Sequence, residues 1–264
     1  MSNGKVRHIL SLSGGKDSTA LAIYMQGKIP DVEYVFCDTG EELPETYEYL
    51  EKLEAFLGKP IIRLNPDRPF KHFLDIYGGI LPDARTRWCT RMLKLRPFEH
   101  YIGNEKAISY IAIRSDEEHR KGYISKKNNI EVCYPFITDG INREGVYQIL
   151  KQSGIGLPEY YKWRSRSGCY FCFFQQKIEW VGLLENHPDL FKKAAAFEKN
   201  NMEKGERFTW IERESLFDLA KPKRIAQIKK MFRDRTYQNN GPKIYKLVDI
   251  LDDGQDDICT ICRL

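Results

Sequence analysis

Apolar and polar residues alternate along the first half of the chain in short blocks that predict strands and helices in turn. The run Val32–Cys37 is apolar and β-prone, which predicts a strand. From Pro44 the apolar residues recur three or four positions apart, which predicts a helix ending at Gly58. Further strands are predicted at residues 8–11, 61–64, 107–113 and 130–134, and further helices at 18–25 and 70–77. Strands alternating with helices indicate an α/β fold with a doubly wound, mostly parallel sheet.

The pattern changes after about residue 140, where helical spacing dominates. Helices are predicted near 142–154, over 178–200 with a bend at His187-Pro188, and over 221–232. We therefore expect a nucleotide-binding α/β domain at 1–140 and a helical, cysteine-bearing region at 141–264 packed on it.

Residues 11–18, Ser-Leu-Ser-Gly-Gly-Lys-Asp-Ser, lie where the first strand meets the first helix. Two glycines let the backbone curl closely around a ligand, and the N–H groups of a helix N-terminus attract anions. Hydroxyls, one lysine and one aspartate add hydrogen bonds, positive charge and a magnesium ligand. The spacing differs from that of a Walker A loop. The alternative is an ordinary glycine turn before a helix.

Three later segments carry further candidate chemistry. Asp38-Thr39-Gly40 follows the second predicted strand, where an acidic side chain accepts bonds from a ribose or base or holds a metal; a simple turn is the alternative. Residues 85–96 place five cationic side chains around Cys89, which favours a thiolate or neutralises phosphates; a solvated helix face is the alternative for part of this charge. Residues 113–120 place arginines and carboxylates at the end of a strand where a nucleotide is expected, and a polar loop is the alternative.

The composition of the chain restricts the cellular compartment that we expect for the protein. The 264 residues carry a net charge of +5 and seven cysteines, and no run of 18 apolar residues occurs. The first residues lack the apolar core of a signal peptide, so we expect a cytoplasmic protein without a membrane segment. In that compartment cysteine pairs are metal ligands or redox centres more often than disulfides.

Taken together, the order and spacing of these motifs over about residues 7–175 resemble the phosphoadenosine-phosphosulfate (PAPS) reductase-like family of PP-loop ATP pyrophosphatases, with the fold of the adenine nucleotide α hydrolases. The resemblance implies ATP in the cleft with Mg²⁺, and it implies Lys16, Asp17 and Arg114 as catalytic residues. The implied nucleotide-binding residues are Ser11, Ser13, Gly14, Gly15, Lys16, Asp17, Ser18, Asp38 and Arg120.

The same resemblance suggests a cysteine-bound [4Fe–4S] cluster. Cys89, Cys169 and Cys172 match by position, and Cys262 is the preferred fourth ligand, with Cys259 and Cys37 as alternatives. A zinc site formed by the two Cys-x-x-Cys pairs is one alternative, and thiols that bind no metal are the other.

The presence of both Lys16 and Asp17 favours an enzyme that cleaves ATP and activates a substrate by adenylylation for sulfur transfer. The features resemble most closely the DNA phosphorothioation proteins, which implies a cysteine desulfurase and other modification proteins as partners. A sulfonucleotide reductase and a non-catalytic nucleotide-binding subunit or sensor are the alternatives. The basic stretch 221–235 is a candidate contact to a nucleic-acid backbone or an acidic partner, with a solvated helix face as the alternative. The aromatic stretch 160–166 is a candidate for stacking on bases, with core packing as the alternative.

Overall fold

The computed structural model describes residues 5–29, 31–117, 127–201 and 206–240. They form two compact units. The first contains the described residues of 5–69, 89–117 and 127–159, and the second contains those of 70–88 and 160–240. Residues 141–159, assigned by the sequence pattern to the C-terminal region, lie in the first unit.

The described strands, in chain order, are β1 (Arg7–Leu12), β2 (Val32–Cys37), β3 (Ile61–Leu64), β4 (Ala107–Tyr110), β5 (Ile130–Cys133), β6 (Lys199–Asn201) and β7 (Glu206–Phe208). The described α-helices are α1 (Lys16–Met25), α2 (Pro44–Leu57), α3 (Phe70–Ile76), α4 (Trp88–Thr90), α5 (Arg96–Ile102), α6 (Pro135–Thr138), α7 (Arg143–Gln152), α8 (Lys177–Asn186), α9 (Pro188–Ala196), α10 (Leu216–Leu219) and α11 (Pro222–Asn240). A turn of π-helix joins α4 to α5, and none of the described helices is long and apolar enough to cross a membrane.

The first unit contains a five-stranded sheet of order β3-β2-β1-β4-β5 in which every pair is parallel. Side chains at alternate positions of the strands point to opposite faces of the sheet and pack into two separate hydrophobic cores. Leu10 and Phe36 pack with α1, α2 and α7 on one face, whereas Ile9 and Val35 pack with Phe98 and other α5 residues on the opposite face. Helices therefore cover both faces, and the predicted doubly wound parallel sheet is confirmed.

The second unit is built around aromatic side chains. Phe70 of α3 packs against Phe171, and Phe171 stacks on Trp210 with ring centroids 5.1 Å apart. Trp180 of α8 is fully buried and contacts the same group. Strands β6 and β7 form a short antiparallel ribbon beside the helices. These rings supply a core for a unit that has no large sheet.

Several predicted boundaries need correction. The predicted strand 107–113 ends its pairing at residue 110, so its last residues form a loop at the edge of the sheet. The predicted helix 178–200 divides at His187, as Pro188 requires, but it ends at Ala196 and is followed by strand β6. The β-ribbon has no clear alternating apolar pattern, which is why periodicity missed it.

Candidate active site

The loop after β1 turns sharply at two glycines. Gly14 has φ +71°, a left-handed conformation that favours glycine, and Gly15 is the extended N-cap of α1. A Cβ atom added to Gly14 would lie 2.5 Å from Cγ2 of Thr46 in the first turn of α2. Gly15 provides no side-chain cap for α1, which leaves the helix N-terminus accessible to an anion in the manner of other phosphate loops.

Serine hydroxyls hold this loop together from within. Ser18 Oγ accepts a hydrogen bond from the Ser13 backbone N–H at 3.1 Å and donates to the Gly15 carbonyl at 3.2 Å. The hydroxyls of Ser13 and Ser18 also lie 3.1 Å apart. Both side chains are buried, so the loop has its curvature before any ligand binds. Ser11 lies in β1 itself, and its buried hydroxyl has no hydrogen-bond partner among the described residues.

A buried ion network lies directly behind the loop. Lys16 Nζ is 3.6 Å from the carboxylate of Asp17, and Asp17 accepts a hydrogen bond from Arg114 at 3.3 Å. The guanidinium of Arg114 also pairs with Asp116 at 3.0 Å and with Glu117 at 3.1 Å. Lys16 and Arg114 are 2% and 4% exposed, so these charges interact with little screening by water. The carboxylate of Asp17 in this network is a ligand of the kind that magnesium prefers.

The position of this network in the sheet has a topological meaning. Lys16 and Asp17 follow β1, whereas Arg114 follows the neighbouring strand β4. The chain leaves β1 toward β2 on one side and later returns to β4 on the other, so the strand order reverses between β1 and β4. Ligands of doubly wound sheets bind in the crevice at this switch point, beyond the carboxyl ends of the strands.

Asp38 lies at the end of β2, one strand away from the loop. Its carboxylate accepts hydrogen bonds from the Gly40 backbone N–H at 2.9 Å and from the Tyr47 hydroxyl at 2.7 Å. Burial and the bond to Asp38 raise the pKa of Tyr47, so the phenol stays protonated and continues to donate. Beside it, Thr39 donates to the buried carboxylate of Glu42 at 3.1 Å. Asp38 is therefore held rigidly at the same sheet edge as the loop.

The cationic segment 85–96 is locally unusual. Arg87 has φ +39°, and the helix after Cys89 widens into a π-turn over Arg91–Leu95, a feature that often marks functional positions. Cys89 is half-buried in the first unit. Lys94 is buried, so the five cations do not share one solvated face.

Cys37 is poorly suited to bind a metal. Its thiol donates a long hydrogen bond to the Lys94 carbonyl at 3.6 Å, and burial raises the pKa of the thiol to about 12. A thiolate is the form that ligates metals, so a protonated cysteine in the core argues against the Cys37 alternative.

Cys169 and Cys172 lie in the second unit at the two ends of one tight turn. The Cys172 backbone N–H donates to the Cys169 carbonyl at 3.0 Å, and both side chains are half-buried. Arg164, fully buried, donates to the carbonyls of Gly168 and Cys169 at 3.1 and 2.8 Å. The turn thus presents two thiols from a fixed backbone, a donor pair that suits iron or zinc. Among the described residues, no group of three or more metal-ligating side chains comes together.

The predicted residues thus fall into separate groups. The phosphate-loop residues, Asp38 and Arg114 lie at one edge of the sheet; Cys89 lies in the first unit and the Cys169–Cys172 pair in the second. Arg120, Cys259 and Cys262 lie outside the described residues. Sequence reasoning missed Thr46 against the loop and Tyr47 on Asp38, because their helical spacing indicated only a core-facing side of α2.

The aromatic stretch at 160–166 is also corrected. Tyr160, Tyr161 and Arg164 are buried in the second unit, with the two tyrosine rings stacked 4.9 Å apart. They are therefore not available to stack on bases. Trp163, the third aromatic residue of this stretch, is partly exposed.

The parallel sheet and the glycine loop at its switch point define a doubly wound α/β class of protein. The family comparison makes this specific: the phosphoadenosine phosphosulfate reductase domain model matches residues 7–172, and the chain belongs to that family. An uncharacterized protein of Methanocaldococcus jannaschii is 28% identical over 69% of this chain and 45% of its own length. An adenosine 5'-phosphosulfate reductase of Bacillus cereus is 28% identical over 43% of this chain and 49% of its own. The chain spans about half the length of these curated relatives.

Two solved structures are also similar. The PAPS reductase of Candida auris, solved with phosphate, has a TM-score of 0.46 at 14% identity, covering 59% of this chain and 76% of that one. The U34-tRNA thiolase NcsA of Methanococcus maripaludis, solved with its [4Fe-4S] cluster, has a TM-score of 0.42 at 13% identity, covering 72% and 70%.

Proposed function

We propose that the protein is a PP-loop ATP pyrophosphatase that activates a substrate by adenylylation for sulfur transfer. The preferred acceptor is nucleic acid, and phosphorothioation of the DNA backbone is its most specific form. The observation that carries the proposal is the buried Lys16–Asp17–Arg114 network directly behind the phosphate loop. A buried lysine beside a loop of converging backbone N–H groups suits a reaction in which negative charge accumulates on departing pyrophosphate.

The proposed reaction balances as an adenylyl transfer. An oxygen of the acceptor attacks the α-phosphorus of ATP, and the bond from that phosphorus to the bridging oxygen breaks. Pyrophosphate leaves, and the acceptor oxygen carries AMP. A sulfur nucleophile then displaces AMP together with that oxygen. The loop backbone binds the β- and γ-phosphates, and Lys16 stabilises the charge on the leaving group.

Asp17 and Arg114 have distinct roles in this scheme. Asp17 is the one carboxylate within the loop residues 11–18, and it would hold Mg²⁺, which neutralises phosphate charge when bound. Arg114 already donates to three carboxylates, so we assign it the positioning of Asp17 rather than contact with ATP. Asp38 remains the candidate for the ribose or base.

Cysteines would serve the sulfur-transfer half of the reaction. Cys169 and Cys172, with Cys89 and Cys262, are the proposed ligands of a [4Fe–4S] cluster, which supplies a binding site for sulfur when present; zinc on the same thiols would be structural. The sulfur would come from a cysteine desulfurase acting as partner.

A sulfonucleotide reductase is the second candidate, and the adenosine 5'-phosphosulfate reductase of Bacillus cereus favours it. In that case the bound nucleotide would be the sulfonucleotide itself, and no ATP would be consumed. A cysteine thiolate would attack its sulfur, and the bond from that sulfur to the phosphate oxygen would break and release the nucleotide. A dithiol reductant of the thioredoxin type would then reduce the cysteine thiosulfonate, releasing sulfite and regenerating the thiol.

The test measures pyrophosphate released from ATP by the anaerobically purified protein with nucleic acid and a cysteine desulfurase. Lys16→Ala should reduce the rate by about 10²-fold or more, the usual effect of losing a group that stabilises transition-state charge. Lys106→Ala is the matched control, because Lys106 is exposed and precedes β4 at the opposite edge of the sheet. An unchanged rate in a folded Lys16→Ala protein contradicts the proposal, and thioredoxin-dependent sulfite release from a sulfonucleotide supports the reductase.

A further inference from the structure

A cleft lies within the second unit and is lined by residues of that unit alone. It runs between α8 and α11 and has a volume of about 250 Å³. We call it the α8–α11 cleft. Its apolar surface includes Trp163 and Phe232, Gly182 lines it from α8, and its cationic residues are Lys162, Lys229 and Arg233. The volume is below the roughly 300–1,000 Å³ typical of pockets for drug-sized ligands, so the cleft suits one planar group rather than a whole cofactor.

Trp163 is held in place beside this cleft by close packing. A Cβ atom added to Gly182 would lie 2.7 Å from Cε3 of the Trp163 ring, so the absence of a side chain there lets the indole lie against α8. His187 packs near the same ring at 5.9 Å with an interplanar angle of 52°. The indole is therefore held in position by its neighbours, and part of its surface remains exposed. Stacking on a fixed ring loses little conformational entropy.

The rim of the cleft is positively charged. Lys229 pairs with Glu185, which also lines the cleft, at 2.5 Å. Arg233 is exposed one turn further along α11 and has no ion-pair partner among the described side chains. With Lys162, the side chains that line the cleft include three cations and one carboxylate. A ligand that fits this surface has a flat apolar part next to a negatively charged part.

We propose that the α8–α11 cleft binds single-stranded nucleic acid, with one base stacked on Trp163 and the adjoining phosphate contacted by Arg233 and Lys229. Base–aromatic stacking beside a cationic track is how proteins hold unpaired strands. A duplex keeps its bases stacked on one another, so it satisfies the charges but not the indole. An acidic peptide likewise would satisfy the cations alone. The identity of this strand as the sulfur acceptor rests on the proposed function, but the binding itself does not.

The test measures binding of fluorescein-labelled 12-mers to the full-length protein without ATP or a sulfur donor. Oligodeoxythymidylate and oligouridylate are the single-stranded probes, and a DNA duplex of equal length is compared with them. Trp163→Ala should weaken single-strand binding about 10- to 100-fold, and Trp163→Phe should retain most of it. Arg233→Gln should weaken binding less and reduce the salt dependence by about one phosphate contact. The single strand that binds with the higher affinity identifies the ligand of the cleft as DNA or as RNA.

The control variants are Phe217→Ala and Lys193→Gln, an exposed aromatic residue on α10 and an exposed lysine on α9, neither of which lines the cleft. The proposal is overturned if the control variants lose as much single-strand affinity as the cleft variants. It is also overturned if the duplex binds as tightly as the single strands, or if Trp163→Ala and Arg233→Gln leave single-strand binding unchanged. The binding assay contains no ATP, so it is independent of pyrophosphate release. A protein that binds the single strand but releases no pyrophosphate from ATP therefore contradicts only the proposed function. Pyrophosphate release without strand binding counts against the cleft only.

Discussion

Replacement of Gly14 by alanine tests how the phosphate loop is built. Two separate penalties are expected. At φ +71° an L-residue costs about 1–2 kcal/mol relative to glycine, since its Cβ crowds the following carbonyl. The new Cβ would also lie 2.5 Å from Thr46 Cγ2, and Thr46 is fully buried and has no room to withdraw. Overpacking of this kind costs about 1–3 kcal/mol. The free energy of unfolding should therefore fall by about 2–5 kcal/mol.

A matched control and a second-site variant separate these two penalties. Gly27→Ala has a similar backbone, φ +78°, but its Cβ would have nothing within 4 Å, so only the backbone penalty of about 1–2 kcal/mol is expected. Thr46→Ser removes Cγ2, at about 1 kcal/mol for the lost methyl burial. It should restore about 1–3 kcal/mol in the Gly14→Ala background, which is the overpacking part of the penalty.

Urea unfolding followed by circular dichroism gives all four free energies in a double-mutant cycle. If Gly14→Ala is no more destabilising than Gly27→Ala, then Thr46 does not pack against the loop as closely as the structure shows. A coupling energy near zero between positions 14 and 46 leads to the same conclusion. ATP binding by Gly14→Ala should weaken in parallel, because the shifted loop no longer aims its N–H groups at the phosphates.

Three further predictions concern buried charges and thiols. Arg114→Met should destabilise the fold by about 3–5 kcal/mol in thermal or urea unfolding, because it removes the buried cation that pairs with both Asp17 and Glu117; a loss under about 1 kcal/mol refutes that role. For Cys37, burial raises the folded pKa to about 12, so only the unfolded chain ionises between about pH 9 and 12 and stability falls as pH rises through that window. Cys37→Ala should remove up to about 1.4 kcal/mol per pH unit of that dependence, and identical pH slopes in both proteins would show that the thiol titrates normally. Cys169→Ser purified without air should lose most bound iron or zinc, whereas Cys133→Ser should keep it; full retention by the first variant excludes Cys169 as a ligand.

The separate roles of Arg114 and Lys16 connect these measurements to the proposed function. Both are cations at the same sheet edge, yet Arg114 pairs with three carboxylates whereas Lys16 is paired with Asp17 at 3.6 Å. Loss of Arg114 should therefore reduce stability most, and loss of Lys16 should reduce the rate of pyrophosphate release most. The two variants together distinguish positioning from charge stabilisation.

Local features of the chain were predictable because their causes are local. Alternating burial in β1 and β2, the Pro44 start and Gly58 end of α2, and the phosphate loop between β1 and α1 all follow from residues close in sequence. Strands alternating with helices then leave few topologies, since parallel crossovers are right-handed and helices must cover both faces. These local patterns determined the fold class and the edge of the sheet at which the candidate site lies.

Tertiary structure alone decided which side chains meet. Asp17 and Arg114 are 97 residues apart, and their ion pair depends on β4 lying beside β1. Tyr47 has the helical spacing of a core residue, but its hydroxyl donates to Asp38. Arg164 is a basic residue that the sequence pattern offered as a contact to nucleic acid. In the folded chain it is buried and donates hydrogen bonds to the backbone carbonyls of the cysteine turn. Periodicity reports which face of an element is apolar, whereas burial of a charge depends on distant partners that compensate its desolvation, and only the folded chain supplies them.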